Sequence, residues 1–582
     1  MPKKQPTSTF WRLLSYLKPY RLLTFMALSF LLLTTVVRSL IPLLASYFID
    51  HYISNLSHTA LLILGAYFVL YLLQMVLQYF GNIWFAKVSY SIVRDIRYQA
   101  FERMEKLGMA YFDQTPSGSI VSRITNDTES ISEMFSGILS SFISALFVIF
   151  TTLATMFALD WKLTCLIVLF FPLIFFLVDQ YRKRSTPIVA QTRSLLSSIN
   201  SKLAESIEGI RIIQAFSQEE RLKDEFEAIN QEHLNYASRS MALDSLFLRP
   251  ALSLIKILAY ALLMTYFGLD WSQDGISAGL IYAFIQYVNR LFDPLLDVTQ
   301  HFSTLQTSMV SAGRVFTLMD QTIEEPVQTD TGARIKKGHI VFEDVSFSYD
   351  GKRQILDNIS FEVRQGQTIA FVGATGSGKS SIINVFMRFY EFQSGRILID
   401  GQDIRQFSQE ELRSSIGLVL QDPFLFHGTI SSNIQMHQDI SQKEIEDAAQ
   451  FVDAASFIEK LPETYNHLVT ERGTAFSTGQ RQLLAFARTM ASKPKILILD
   501  EATANIDSET EQTVQTSLEK MRKGRTTIAI AHRLSTIQDA DCIYVLEKGK
   551  IIESGNHEEL LSLNGHYHRM YQLQAGQLAH SE

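Results

Sequence analysis

Cysteine is nearly absent: Cys165 and Cys542 are the only two in 582 residues. They lie in unlike surroundings, the first in an apolar run and the second in a strand of soluble character, so neither a disulfide framework nor a metal cluster is expected. Charge is also scarce. Asp, Glu, Lys and Arg make up 19% of the chain, below the usual quarter of a soluble protein. The formal net charge of -7 offers no general attraction to nucleic acid, which is excluded as a partner. The N-terminus, MPKKQPTSTFWRLLSYLKPYR, lacks the small-residue cleavage site of a secretory signal, so the first apolar run is expected to be retained.

What the chain does have is apolar residues, 47% of the total, crowded into its first half. A membrane-spanning helix needs about 20 of them in a row, because the hydrocarbon core is about 30 Å thick and a helix rises about 1.5 Å per residue. Six segments qualify: 22–48, 59–84, 136–158, 162–181, 246–268 and 276–298. Lys and Arg set their orientation. The segments after spans 2 and 4 are long and basic, with Arg94, Arg97, Arg103, Lys106 and Arg123 in one and Arg182, Lys183, Arg184, Arg193, Lys202, Arg211, Arg221 and Lys223 in the other. The links around 50–58 and 268–275 carry neither Lys nor Arg. Both termini and both long loops are therefore expected in the cytosol, as in a multi-pass protein of the cell membrane with lipid as a partner. Loops of that length would be unusual without structure, so they read as helical extensions. Tyr111 to Gly118 and Glu208 to Phe216 stand as coupling elements, and a helix is expected to restart at Ser122. Arg38, Arg249, Lys256, Arg290 and Asp293 fall within or near the spans, where charge is costly and usually faces an interior cavity. Arg38 and Arg290 are the candidates to line a pathway.

From about residue 338 the pattern changes to that of a soluble α/β domain. His339 to Tyr349 alternates like a strand. Gly366 to Gly373 then runs as a buried strand into Gly373, Ala374, Thr375, Gly376, Ser377, Gly378, Lys379 and Ser380, with a helix expected over 380–390. This is the G-x-x-x-x-G-K-S loop, whose backbone amides close around phosphate oxygens at a helix N-terminus. Lys379 should reach the β- and γ-phosphates and Ser380 should ligate Mg²⁺. Lys495 to Leu499 is an apolar run ending in Asp500 and Glu501, as expected of a buried parallel strand delivering acids to the ligand-binding edge of the sheet. Asp500 fits the metal-side acid, and Glu501 the residue that polarises the attacking water. ATP and Mg²⁺ are the expected cofactors.

With these elements in place, the domain resembles an ABC transporter nucleotide-binding domain, and the whole chain resembles the half-transporter exporters. The expected fold is a six-helix, all-α membrane domain (22–310, after an elbow at 1–21) fused through a linker (311–337) to an α/β P-loop ATPase domain (338–582). The resemblance assigns further roles. Tyr349 stacks on adenine, Ser381 extends the phosphate loop, and Gln421 reaches Mg²⁺. Thr470 to Gly473 contacts the coupling helices, Asn505 to Asp507 follows the catalytic acid, and His532 touches the γ-phosphate. Phe476-Ser477-Thr478-Gly479-Gln480 stands where the family has Leu-Ser-Gly-Gly-Gln.

That signature departs from the pattern. In the family each ATP site combines the phosphate loop of one chain with the signature of another. This chain keeps Glu501, so its own phosphate loop implies a hydrolytic site. Threonine at 478 adds a branched side chain and restricts φ where glycine allows close approach, so the site receiving the signature should be weakened. The pairing resembles one subunit of the heterodimeric bacterial multidrug exporters. It implies a second half-transporter chain with an intact signature, and a lipophilic or amphipathic small molecule as cargo. A homodimeric lipid or peptide exporter is the alternative, and a regulatory ATPase subunit a more distant one.

Overall fold

The computed structural model describes residues 9–52, 58–270, 277–436, 439–500, 508–530 and 537–574. The chain divides into two compact units, residues 1–105 with 117–321, and residues 106–116 with 322–582.

The first unit is helical. Five of its helical stretches are long and apolar enough to cross a membrane: Thr9–Tyr52, His58–Glu105, Ser117–Leu159, Trp161–Glu208 and Glu219–Gly268. The helix Ala278–Met319 covers the described part of the sixth expected span. The helices run well beyond the apolar windows. His58–Glu105 is 48 residues long and Phe171–Glu208 is 38, so the basic segments are continuations of the spans. The sixth helix continues to Met319, past residue 310 where a linker was expected, because no proline interrupts it beyond Pro294. Helix resumes after Pro116 at Ser117, five residues before the expected restart. Proline is favoured just before a first turn and ends the preceding one.

Π-helical turns occupy Met134–Leu139 and Asp244–Leu248, where the third and fifth spanning helices leave their polar extensions. Arg314 on the sixth helix donates to both carboxylate oxygens of buried Asp127, at 2.8 Å from its Nε. At the other end, Asp50 Oδ1 accepts the Gly279 amide at 2.7 Å. A Cβ on Gly279 would collide with the Ser46 carbonyl, so the first and sixth helices touch there through backbone.

Among the described residues the second unit contains two larger sheets and a two-stranded ribbon. Strands β1 (Ile340–Phe347), β2 (Leu356–Val363), β4 (Ser394–Ile399) and β5 (Gln402–Asp403) form an antiparallel sheet in the order β2-β1-β4-β5. The other sheet has the order β12-β11-β3-β10-β9-β6 and is built from β3 (Thr368–Val372), β6 (Ile416–Val419), β9 (Ile496–Asp500), β10 (Thr526–Ile530), β11 (Cys542–Glu547) and β12 (Lys550–Gly555). It is parallel except for β12. A short ribbon pairs β7 (Gly428–Thr429) with β8 (Leu468–Val469). Central strands β3, β9 and β10 are covered on both faces, which is why they read as unbroken apolar runs rather than alternating ones. The alternation of β1 holds only to Glu343. At Asp344 the backbone turns to φ 50 and both registers slip, a bulge that re-aims every later side chain.

Candidate functional site

The phosphate loop leaves β3 at Gly373 and enters the helix Lys379–Phe386. Gly373 packs against the Leu546 carbonyl so closely that a Cβ would not fit, and Gly378, at φ 108, would press a Cβ to 2.9 Å from Leu356. Gly376 adopts φ 80 with open space around it. Each glycine thus meets a different demand, close approach at two positions and a left-handed turn at two. Lys379 is buried, its Nζ donating to the carbonyls of Gly373 at 2.7 Å and Ala374 at 3.1 Å. The buried Ser377 hydroxyl has no hydrogen-bond partner. An orphaned hydroxyl and a buried cation at a helix N-terminus are the features of a cradle that an anionic phosphate completes.

Tyr349 is 43% exposed. Its edges rest on Phe347 and Tyr390, with ring centroids 4.7 Å and 4.8 Å away. Its hydroxyl pairs with Ser381 Oγ at 3.1 Å and accepts from Asn384 Nδ2 at 3.0 Å. The following turn is held by Asp350, whose Oδ1 accepts the amides of Lys352 and Arg353 at 2.8 and 3.0 Å, and these amides hold its carboxyl below the ordinary value. Motif reading found Tyr349 and Ser381 but missed Asn384. Its spacing of three from Ser381 on a helix was the available signal.

Asp500 ends β9 opposite Ile530, the last residue of β10. Glu501, His532 and Asn505 to Asp507 lie outside the described residues. Gln421 is exposed, two positions beyond β6. The helix Thr478–Ala491 is capped by Ser477, whose hydroxyl takes the Gln480 amide while the Gln480 side chain takes the Ser477 amide. Phe476 is buried against Phe457 and His467, so its substitution for leucine is absorbed by the core. Thr478 opens the helix, its hydroxyl accepting from Arg481 Nη2 at 3.2 Å. Helical backbone suits threonine, so the expected φ restriction does not operate; what changes is the side-chain volume above the helix N-terminus.

Residues 111–116 of the first expected coupling element belong to the nucleotide-binding unit. Gly108 donates to the Ile323 carbonyl at 2.9 Å, and a Cβ there would sit 2.7 Å from the Glu324 carbonyl. Tyr111 is buried, and Asp113 accepts from the Tyr390 hydroxyl. Burial first, then the Asp113 hydrogen bond, push that hydroxyl well above its ordinary pKa. The second element is the short helix Ile210–Ala215 in the helical unit, where Ile207, Ile212 and Phe216 are each more than half exposed.

The family of ABC transporter transmembrane regions matches residues 24–295, and the ABC transporter family matches residues 356–504. A Streptococcus pneumoniae relative, "Putative ABC transporter ATP-binding protein exp8", is 69% identical over 99% of both chains. This chain belongs to the ABC transporter family. The Bacillus subtilis protein "Probable multidrug resistance ABC transporter ATP-binding/permease protein YheH" is 44% identical over 84% of this chain and 72% of its own. A Syntrophus aciditrophicus "ATP-dependent lipid A-core flippase" is 34% identical over 92% and 88%. A solved structure, of a bacterial Atm1-family ABC exporter with ATP bound, superposes with a TM-score of 0.78 at 29% identity over 95% of this chain and 99% of that one. The ABC exporter chain is thus a helical transmembrane domain fused to a C-terminal nucleotide-binding domain with mixed sheets. It binds ATP, couples ATP hydrolysis to export, and works as a dimer in a lipid bilayer as a multi-pass membrane protein.

Proposed function

We propose that this chain is the subunit of a heterodimeric exporter that carries the hydrolytic glutamate, and that the exporter moves lipophilic or amphipathic solutes of the multidrug type. The observation that carries the reading is a disparity within one chain. Glu501 follows Asp500 as a hydrolytic site requires, while Thr478 fills the first turn of the signature helix. The YheH relative, named for multidrug resistance, supports the cargo class.

In this reading Gly373 to Ser381 hold the phosphates, with Lys379 reaching the β- and γ-phosphates, and Tyr349 offers its exposed ring to adenine. Asp500, Ser380 and Gln421 hold Mg²⁺, which neutralises charge on the phosphates. Glu501 orients and polarises the attacking water, and His532 touches the γ-phosphate. Ser477, Thr478, Gly479 and Gln480 face the partner chain's nucleotide. ATP drives the cycle because its contacts with both chains exist only when the two domains have closed. A ligand shifts an equilibrium only by its differential affinity for the two states. Both termini and both long loops lie in the cytosol, in keeping with their Lys and Arg content.

Purifying the chain with and without the neighbouring gene product tests the assignment. Substrate-stimulated ATPase and vesicle transport should need both polypeptides. Full activity from this chain alone would make it a homodimer.

A further inference from the structure

We infer that Arg38 and Arg290 form an intramembrane site for the anionic head of an amphiphile. The inference rests on the proposed export of amphipathic solutes and names their charge.

Arg38 lies fourteen residues before Tyr52 in the first helix, and Arg290 twelve residues after Ala278 in the sixth, about 21 Å and about 18 Å from those helix ends at 1.5 Å per residue. The Asp50–Gly279 hydrogen bond fixes those ends side by side. Both guanidinium groups therefore fall near the middle of a hydrocarbon layer about 30 Å thick.

There they meet. Arg290 Nη1 donates to the Arg38 carbonyl. Alongside, Tyr287 donates to the Ser39 carbonyl at 2.6 Å, and Tyr260 to Asn289 Oδ1 at 2.5 Å. A carbonyl satisfies a hydrogen bond but not a charge. Among the described residues neither arginine has an ion pair with a carboxylate; Asp293, nearly one turn further along the sixth helix, is exposed and pairs with neither. Arg38 is exposed and Arg290 half-buried; two like charges at that depth of the membrane without counter-charge favour any anion that can reach them. Guanidinium groups present planar forks that grip a phosphate or carboxylate by two hydrogen bonds.

The test is equilibrium binding without nucleotide, so that its outcome is independent of the hydrolytic cycle. The complete dimeric transporter is placed in phosphatidylcholine nanodiscs, and the anisotropy of pyrene-labelled dodecyl phosphate is compared with that of the trimethylammonium probe of equal tail. The phosphate should bind about tenfold tighter, the scale of one charge-assisted hydrogen-bonded contact. Arg38→Gln with Arg290→Gln should erase the preference, and Arg290→Lys should keep part of it. If the double variant fails to assemble, the single Arg38→Gln variant should show a reduced preference. Displacement of the probe by phosphatidylglycerol would identify a lipid as the source of the anion, and resistance to it a free amphiphile. Equal binding of the two probes to the unmodified transporter, or a charge preference unchanged in the variants, would overturn the site.

Discussion

The two units bury the same kinds of side chain in opposite directions. In the nucleotide-binding unit, Ile496 to Leu499 of β9 and Thr526 to Ile530 of β10 are wholly covered. In the helical unit, the apolar window of His58–Glu105 is only 6% buried, and Leu61, Leu62, Phe68 and Tyr79 are each more than 60% exposed. In water such exposure would be a liability; in lipid the backbone alone must satisfy itself, which a helix does. Polar groups follow the same inversion. The phosphate loop gathers its polar groups in one contiguous stretch, Gly373 to Ser380, whereas the helical unit assembles its own from residues far apart, Tyr287 with Ser39 and Arg290 with Arg38.

The largest expected effect tests the first half of that contrast. Glu501→Gln should leave ATP binding intact and lower ATP turnover about a thousandfold, the size of a lost catalytic base. Near-normal turnover would remove Glu501 from its role. In the helical unit, Gly279→Leu drives a side chain into the Ser46 carbonyl and Asp50. It should cost about 1–3 kcal/mol, read as a lowered melting temperature of the detergent-solubilised transporter with nucleotide affinity unchanged.

The signature separates further. Thr478→Gly clears the helix N-terminus and should raise ATP turnover of the complete dimer severalfold. Phe476→Leu alters only a core contact and should change stability by less than about 1.5 kcal/mol with no gain in turnover. If Phe476→Leu were the activating change, Thr478 would not be the obstruction.

The smallest effect lies far from the chemistry. Asp400 accepts the amides of Lys336, Lys337 and His339 at 2.7, 2.9 and 2.9 Å. Burial works against its charge, but the amide donors, Lys337 and His339 first, outweigh burial and hold its pKa below the ordinary value. A depressed carboxyl stabilises the fold above its unfolded pKa of about 3.9, and that contribution is lost as pH falls through the lower folded value. Asp400→Asn should cost about 1 kcal/mol near neutral pH, after allowance for solvent screening. It should also flatten the acid limb of the unfolding curve of the whole chain.

Much of this was legible in the sequence because it is local. The octet at Gly373 to Ser380 dictates a strand, a loop and a helix within a few residues. Strand β3 falls inside its expected range, and the helix Lys379–Phe386 begins one residue before its own and ends early, where Arg388 turns to φ 57. The long basic segments are mostly helical, interrupted near Gly108 and Pro116 in the first and at Gly209 in the second, where glycine and proline break the run. The bulge at Asp344 was not legible, since it depends on Gly395 of a neighbouring strand making room for the displaced backbone. Nor was the harmlessness of Phe476, which follows from Phe457 and His467 lying beside it.

The sequence by itself determined that apolar helices alternate with basic extensions and that a phosphate loop precedes two acids at a strand end, because hydrophobic length and backbone turns are properties of neighbouring residues. Tertiary structure alone decided that residues 106–116 pack with the C-terminal unit, that Tyr390 holds Asp113, and that two arginines in different helices share one level. Those facts depend on how distant surfaces fit and how unpaired charges find company, which no run of consecutive residues encodes.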